Sequence, residues 1–403
     1  MASTVAWLDS TAEEQRIARE LIALFTQQES RDELGIGQVR DAFSDLLFPG
    51  TSVLLTRARY FLFVPWCYSQ ARARGTSGER CKARGDAQER KLIMSLREAQ
   101  LEDAAGLIGV RVGAGVKTLP SAIYWNALRR YTILTHDADT SHLGLLDAPP
   151  DEAATELAER RRGDWDAGLP DPPDGFPDAI PSGFQLSQEE AGWLAGRVSV
   201  SVPDSVLHHL VERRGHLADT ANFAWDVVEE AQFEALVHAR RFSTVMHGAS
   251  LLYNLLVAER YASQPELTRL GDLRDHYRFA LDEWNEYAIG PLAQDLGQWD
   301  VERMWQTVRV ANPRVQPTTR LFVDAWISAT RRGSTAGAAD DKKLRRLVRQ
   351  REGRKGKQSR LINDKLLANW SGASGAGQLD FRWGTVRGLV NDIVTGLEPN
   401  AAA

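Results

Sequence analysis

The chain is expected to fold as a mostly α, multi-helical protein with at most a small β hairpin in its N-terminal unit, and three features predict this. Apolar residues recur at three- and four-residue spacing along most of the chain. Helix starts and stops bracket these stretches, as at Ser187-Gln188-Glu189-Glu190 and Pro49-Gly50. A strand-like pattern is confined to Val110, Val112 and Val116, which lie between glycines.

Taken in order, Ser10 or Thr11 can cap a first helix whose Ile17, Leu21, Ile22 and Phe25 share one stripe. Leu34-Gly35-Ile36-Gly37 reads as a turn, and Val39, Phe43, Leu46 and Leu47 mark a second helix that Pro49-Gly50 ends. Over residues 51–74 aromatic richness favours strand, whereas length and the cap-like Thr51-Ser52 favour a helix bent at Pro65; helix is the expectation. A basic loop over 72–84, a helix over 86–107, the small valine hairpin and a helix over 121–134 follow. Residues 136–181 are rich in Asp, Pro and Gly, the composition of a linker or long surface excursion, with room for one helix at 155–162. The Ser187 capping box opens a run of helices to about Arg332, in which Ala224, Trp225, Val228, Leu236, Val245, Leu252 and Leu255 keep helical spacing over two long elements. Small, polar 333–339 reads as a hinge, and a short helix over 383–397 closes the chain. The expected units are an N-terminal one (1–135), the linker (136–183), a central helical one (184–335) and a basic C-terminal one (336–403).

With 403 residues, 43% hydrophobic and 26% charged, the chain belongs among soluble globular proteins and is long enough for two or three units. Cys67 and Cys81 make no disulfide framework and suit a reducing compartment. Residues 1–9 lack the basic and apolar runs of a signal peptide, and the most apolar stretch, Tyr60 to Trp66, is too short to span a membrane. A cytoplasmic protein with no membrane partner is expected.

Catalytic motifs are incomplete. In Gly113-Ala114-Gly115-Val116-Lys117-Thr118, Val116 separates glycine from lysine, so backbone amides and ammonium would not reach the same phosphates. Gly35-Ile36-Gly37 lacks the third glycine of a dinucleotide fingerprint. His136, Asp137, Asp139 and His142 gather possible metal ligands, yet they lie at the entrance to the linker, where such residues are ordinary loop formers. No cofactor or metal is expected. Glu230, Glu234 and His238 recur every four residues on one face, a solvated charged stripe within reach of Arg241 or, alternatively, the seat of a general acid/base pair or a metal. Arg57 and Arg59 sit in the most apolar block and require partners. Asp41 and Asp45 are the nearest in sequence, and an anion held in a guanidinium fork is the equally weighted alternative.

The strongest signal is electrostatic. Between Arg331 and Lys365 there are thirteen Lys and Arg against four Asp and Glu, a local net charge of +9. The rest of the chain holds 36 basic and 50 acidic residues, a net of −14. Lys342, Lys343, Arg345, Arg346 and Arg349 are expected on a helix with charge around most of its circumference, too much for a merely amphipathic core helix. Arg354, Lys355, Lys357 and Arg360 are expected to continue it as a basic loop. Trp370, Arg382, Trp383 and Arg387 beyond them interleave aromatics with charge, which suits gripping a phosphate backbone and stacking a base. The same tract also fits an acidic partner protein or this protein's own acidic surface.

Leu34-Gly35-Ile36-Gly37-Gln38-Val39-Arg40-Asp41, Ser44 to Val53 and Thr56 to Trp66 together resemble a bacterial family filed as domain of unknown function 6361. His247-Gly248, Leu252-Tyr253-Asn254 and Arg382-Trp383 extend the resemblance over essentially the full chain. It implies a bacterial cytoplasmic protein, an accessory component beside helicases or nucleases in mobile defence clusters, and supplies no catalytic residues. The expected function is a non-catalytic, nucleic-acid-associated component of a DNA-processing or phage-defence system, with DNA favoured over RNA. A protein–protein adaptor using the basic tail, or an enzyme of unrecognised type, is the alternative.

Overall fold

Between Glu234 and Ala262 apolar side chains occupy every face of the helical wheel, so a helix here is stable only if surrounded by protein. In the computed structural model, which describes residues 32–73, 77–99, 105–137, 139–143, 163–333 and 335–399, nineteen of the 29 residues of this helix are buried. It is the seventh of fourteen α-helices among the described residues. In chain order these are α1 (Gly37–Leu47), α2 (Tyr60–Ala73), α3 (Gly78–Glu98), α4 (Pro120–Arg130), α5 (Gln188–Ser201), α6 (Val206–Arg213) and α7 (Glu234–Ala262). There follow α8 (Arg274–Glu283), α9 (Ala293–Gln298), α10 (Val301–Ala311), α11 (Pro317–Arg331), α12 (Lys342–Gly353), α13 (Asp364–Ala368) and α14 (Trp383–Leu397).

Helices α1, α8, α10, α11, α12 and α13 pack around α7. A second group joins α2 to α3 and α4, and a third lays α14 across α5 and α6. The core runs through all three groups without a break. Among the described residues there is no strand, only a single antiparallel bridge between Leu134 and Trp165. The protein is therefore mostly α, as its periodicity predicts.

Several elements form for the reasons read from sequence. The turn expected at Leu34–Gly37 precedes α1, and the Asp32 carboxylate, which had no part in that expectation, holds it by accepting from the amides of Ile36 and Gly37 at 2.7 and 2.8 Å. Ser187 and Glu190 make the expected capping box of α5, with reciprocal bonds of 3.1 and 2.9 Å. Helix α14 spans the expected residues. The first expected helix, through Ile17 and Phe25, and the possible helix at 155–162 lie outside the described residues.

Other elements differ. Helix α2 begins at Tyr60 rather than near Thr51, and it carries Pro65 inside because packing on all sides outweighs one lost backbone bond. The basic loop over 72–84 is mostly helix, since Arg80 and Arg84 lie in the first turns of α3. That helix ends at Glu98, short of 107. No hairpin forms at the valines, because Gly106, Gly109 and Gly113 adopt positive φ and turn the chain, leaving Val110 and Val112 exposed. The two long helices expected through Ala224 to Leu255 are two 3₁₀ turns followed by α7 alone. Residues 163–183, expected as linker, bury Trp165, Phe176 and Ile180, and Trp66 Nε1 donates to the Pro170 carbonyl at 2.7 Å. In the expected hinge, Thr335, Ala338 and Ala339 are buried.

Candidate nucleic-acid interface

Helix α12 starts where the Asp341 carboxylate accepts from the amides of Lys343 and Leu344 at 2.7 and 2.8 Å. Leu344 and Val348 are one turn apart and buried, so they fix the helix against α7. The helix is amphipathic after all. Charge does surround most of its circumference, but the inward-facing cations are neutralised within the fold.

Three of the nine tract residues singled out from sequence belong to this inward set. Arg345 pairs with Glu259 of α7, while Lys355 and Arg360 both pair with buried Glu33, which also accepts from the Tyr253 hydroxyl at 3.2 Å. Glu352 is fully buried and accepts from the Ser359 hydroxyl and the Arg360 amide, closing the turn after the helix. Arg351 donates to the carbonyls of Leu34 and Gly35 at 2.6 Å each and to the Thr319 hydroxyl at 2.7 Å. These groups tie α12 to the segment before α1. They are structural, in the sense that removing one leaves a buried charge uncompensated.

The remaining six, Lys342, Lys343, Arg346, Arg349, Arg354 and Lys357, are exposed and have no carboxylate partner among the described residues. Residues 342, 346 and 349 follow i, i+4, i+7 spacing, and 343 and 354 flank them, so α12 presents a single basic face. The aromatics expected to stack a base do not join it. Trp370 and Trp383 are each 1% exposed, the first packed against Tyr261 and Tyr277, the second donating to the Ala221 carbonyl. Arg382 and Arg387 turn to Asp45 and Asp219.

The N-terminal arginines do not pair with Asp41 or Asp45. Arg57 forms a fork with Asp392 of α14, its Nε 3.0 Å from one carboxylate oxygen and its NH2 3.0 Å from the other. Arg59 is 3% exposed and donates to Glu190 of α5 and to the Gly183 carbonyl, each at 2.8 Å. Asp41 and Asp45 are taken by Arg40 and Arg382. Their partners lie too far along the chain for local spacing to reveal.

Glu230, Glu234 and His238 do not share one helix face, because Glu230 lies in a 3₁₀ turn before α7 begins. Glu230 pairs with Arg240. Glu234 is held below the usual carboxylate range by its bonds to Arg303. Burial lowers the basicity of His238, whose Nδ1 accepts from Trp299 Nε1 at 3.0 Å. Arg241 is bonded to Asp295. His136 and His142 face different carboxylates, Asp164 and Asp139, and no metal-competent group of three His, Cys, Asp or Glu occurs among the described residues. In the glycine loop, Arg90 donates to the Ala114 and Val116 carbonyls and thereby fixes its course.

One group had no signature in the sequence. Glu89 of α3 is fully buried and accepts from the Ser121 amide at 2.7 Å and the Ser121 hydroxyl at 2.6 Å. Burial pushes its carboxyl up to about 8, against the opposing effect of the Ser121 bonds. The residues between Gln88 and Arg90 look like any solvated helix turn, so only the packing identifies it.

The chain belongs to a family of unknown function, DUF6361, whose model matches residues 2–395. No curated protein matches it. No solved structure matches it either. No helix among the described residues is long and apolar enough to cross a membrane.

Proposed function

We propose that the exposed face of α12 and the turn after it bind the phosphate backbone of nucleic acid, DNA in preference to RNA, without chemistry of their own. On this reading the protein is an accessory component of a bacterial DNA-processing or phage-defence system, acting in the cytoplasm beside a helicase or nuclease. The observation that supports it is the set of six exposed cations, without a carboxylate partner among the described residues, on and just beyond one helix of an otherwise acidic protein. Phosphate contacts supply affinity without reading sequence, and the burial of Trp370 and Trp383 argues for backbone contact alone rather than base stacking. The same burial favours a second reading, in which the face docks an acidic protein surface.

Fluorescence anisotropy of labelled duplexes across a salt series tests the choice. Six phosphate contacts give a slope of log affinity against log salt of roughly −5, from about −0.9 per phosphate. Reversing Lys342, Lys343, Arg346 and Arg349 to glutamate should abolish binding while thermal melting stays that of the parent. A salt-insensitive affinity, or binding that survives the reversal, would sink the proposal. Failure to bind any nucleic acid, with capture of one acidic protein, supports the adaptor.

A further inference from the structure

A cavity of about 450 Å3 lies beside the basic face, where α7, the end of α12 and the loop before α13 meet. Small-molecule sites fall in the range of roughly 300–1,000 Å3 and combine apolar walls with a few convergent polar groups. Leu256 of α7 and Leu361 and Ile362 of the loop supply the apolar wall here. Ile362 is 57% exposed, so apolar surface stands uncovered in a lining that also includes a cation of the basic face. The wall is set in advance of any ligand. Arg260 of α7 donates to the carbonyls of Arg360 and Ile362 at 2.7 and 3.1 Å and to the Asp364 carboxylate at 2.6 Å, which pins the loop.

The cation is Arg349, the last of the i, i+4, i+7 row, which is exposed and has no carboxylate partner among the described residues. Two acceptors share the lining with it. The Ser263 hydroxyl donates to the Arg260 carbonyl at 2.7 Å, and its oxygen keeps lone pairs to accept with. Glu259 uses Oε2 for Arg345, while its Oε1 is 3.8 Å from the Arg278 guanidinium, beyond hydrogen-bond reach. An apolar wall, two acceptors and one free guanidinium are the complement of a nucleotide. Its phosphate goes to Arg349, its ring lies against Leu361 and Ile362, and its N–H groups face Ser263 and Glu259.

We propose that this cavity receives one unpaired base of the nucleic acid whose phosphates lie along α12. The preferred substrate is then a strand with an extruded or single-stranded nucleotide, not a continuous duplex. This rests on the backbone reading above and adds to it one enclosed base, held by an aliphatic wall instead of a stacked ring. A base inside a duplex has its faces and its pairing edge covered, so it enters only after unstacking, whereas an unpaired one enters at least cost.

Fluorescence anisotropy of the full chain with three labelled DNAs tests it: a fully paired duplex, the same duplex with one bulged adenine, and the same with an abasic residue in the bulge. The bulged adenine should bind about tenfold more tightly than either of the others. A Cβ at Gly353 meets nothing within 4 Å and the position lines the cavity, so Gly353→Phe should fill it without displacing the core. That variant should lose the gain and bind paired duplex as the parent does, while Gly353→Ala, too short to fill the space, keeps the gain. Ile362→Ser, at an exposed position, should reduce the gain independently. Equal binding of all three DNAs overturns the enclosed base and leaves the backbone reading standing. A gain shared by the abasic DNA, or one that persists in both Gly353→Phe and Ile362→Ser, overturns it as well. Binding of none of the DNAs overturns both readings together. If a glutamate-rich peptide with a single leucine then binds, and Gly353→Phe blocks it, the cavity serves a protein partner instead.

Discussion

Glu89 and the hydroxyl and amide of Ser121 form a closed unit between α3 and α4, with Asp86, Arg90 and Tyr68 around it. Because the carboxyl is raised from 4.5 to about 8 in the fold, the folded chain holds this proton more tightly than the unfolded chain. Its contribution is fully present below pH about 4.5 and is lost as pH rises through about 8. Glu89→Gln keeps an acceptor for the amide of Ser121 and cannot titrate. The parent should therefore lose melting temperature relative to Glu89→Gln between about pH 5 and 8, measured by thermal denaturation at a series of pH values. Parallel curves would show that Glu89 does not change charge in that window. At this scale the sequence reveals needs better than partners. It shows that Arg57 and Arg59 must be neutralised inside an apolar block, but Asp392 and Glu190 lie 335 and 131 residues away. No local spacing encodes such a pair.

Elements were legible where their signals are local. The capping box of α5, the turn before α1 and the span of α14 all rest on residues within a few positions of one another. The start of α7 was not legible, because the apolar spacing through Ala224 and Val228 is met by two 3₁₀ turns packed on the same core. The charge on α12 was legible, and the split between its exposed and inward cations was not, since that split depends on Glu33 and Glu259 from other segments. The contact of α7 with the π turn Trp284–Ile289 carries its own prediction. A Cβ placed on Gly248 would lie 2.3 Å from Cη2 of Trp284, whose ring is buried and whose Nε1 donates to the Thr244 carbonyl at 2.8 Å. That ring cannot withdraw without breaking its bond. Gly248→Ala should therefore destabilise the fold by about 1–3 kcal/mol, as overpacking does, despite the better helix propensity of alanine. Urea denaturation measures it, and a stabilised variant would mean that the contact between α7 and the π turn yields freely.

At the scale of the whole molecule, the contacts cross every boundary that composition suggested. Helix α14 rests on α5 and α6, its Asp392 holds Arg57 and the Ala58 amide ahead of α2, and Arg382 just before it reaches Asp45 and the Thr51 carbonyl. Removing the region from Asp340 onward would thus do more than delete charge. A chain ending at residue 382 should lose cooperative melting and its near-ultraviolet dichroism, because Val386, Leu389, Val390, Ile393 and Val394 leave the core together. If it instead melts like the parent, α14 is an appendage and the fork at Arg57 is dispensable. Point substitutions on the exposed face of α12 are for this reason the cleaner probe of charge.

The fork between Arg57 and Asp392 also bears on how the chain is made. Arg57 and the aromatic block of α2 leave the ribosome long before Asp392, which follows 335 residues later. Domains that close within themselves can fold while translation continues. Here α2 emerges with Tyr60, Phe61, Phe63 and Trp66 in place, whereas the Asp392 side of the fork at Arg57 arrives only with α14. Over that interval the nascent N-terminal half exposes apolar surface of the kind that chaperones bind. A product that stops before α14 lacks Val386, Leu389, Val390, Ile393 and Val394 of the core as well as the Asp392 carboxylate, so the last helix to be made is the one that closes the fold.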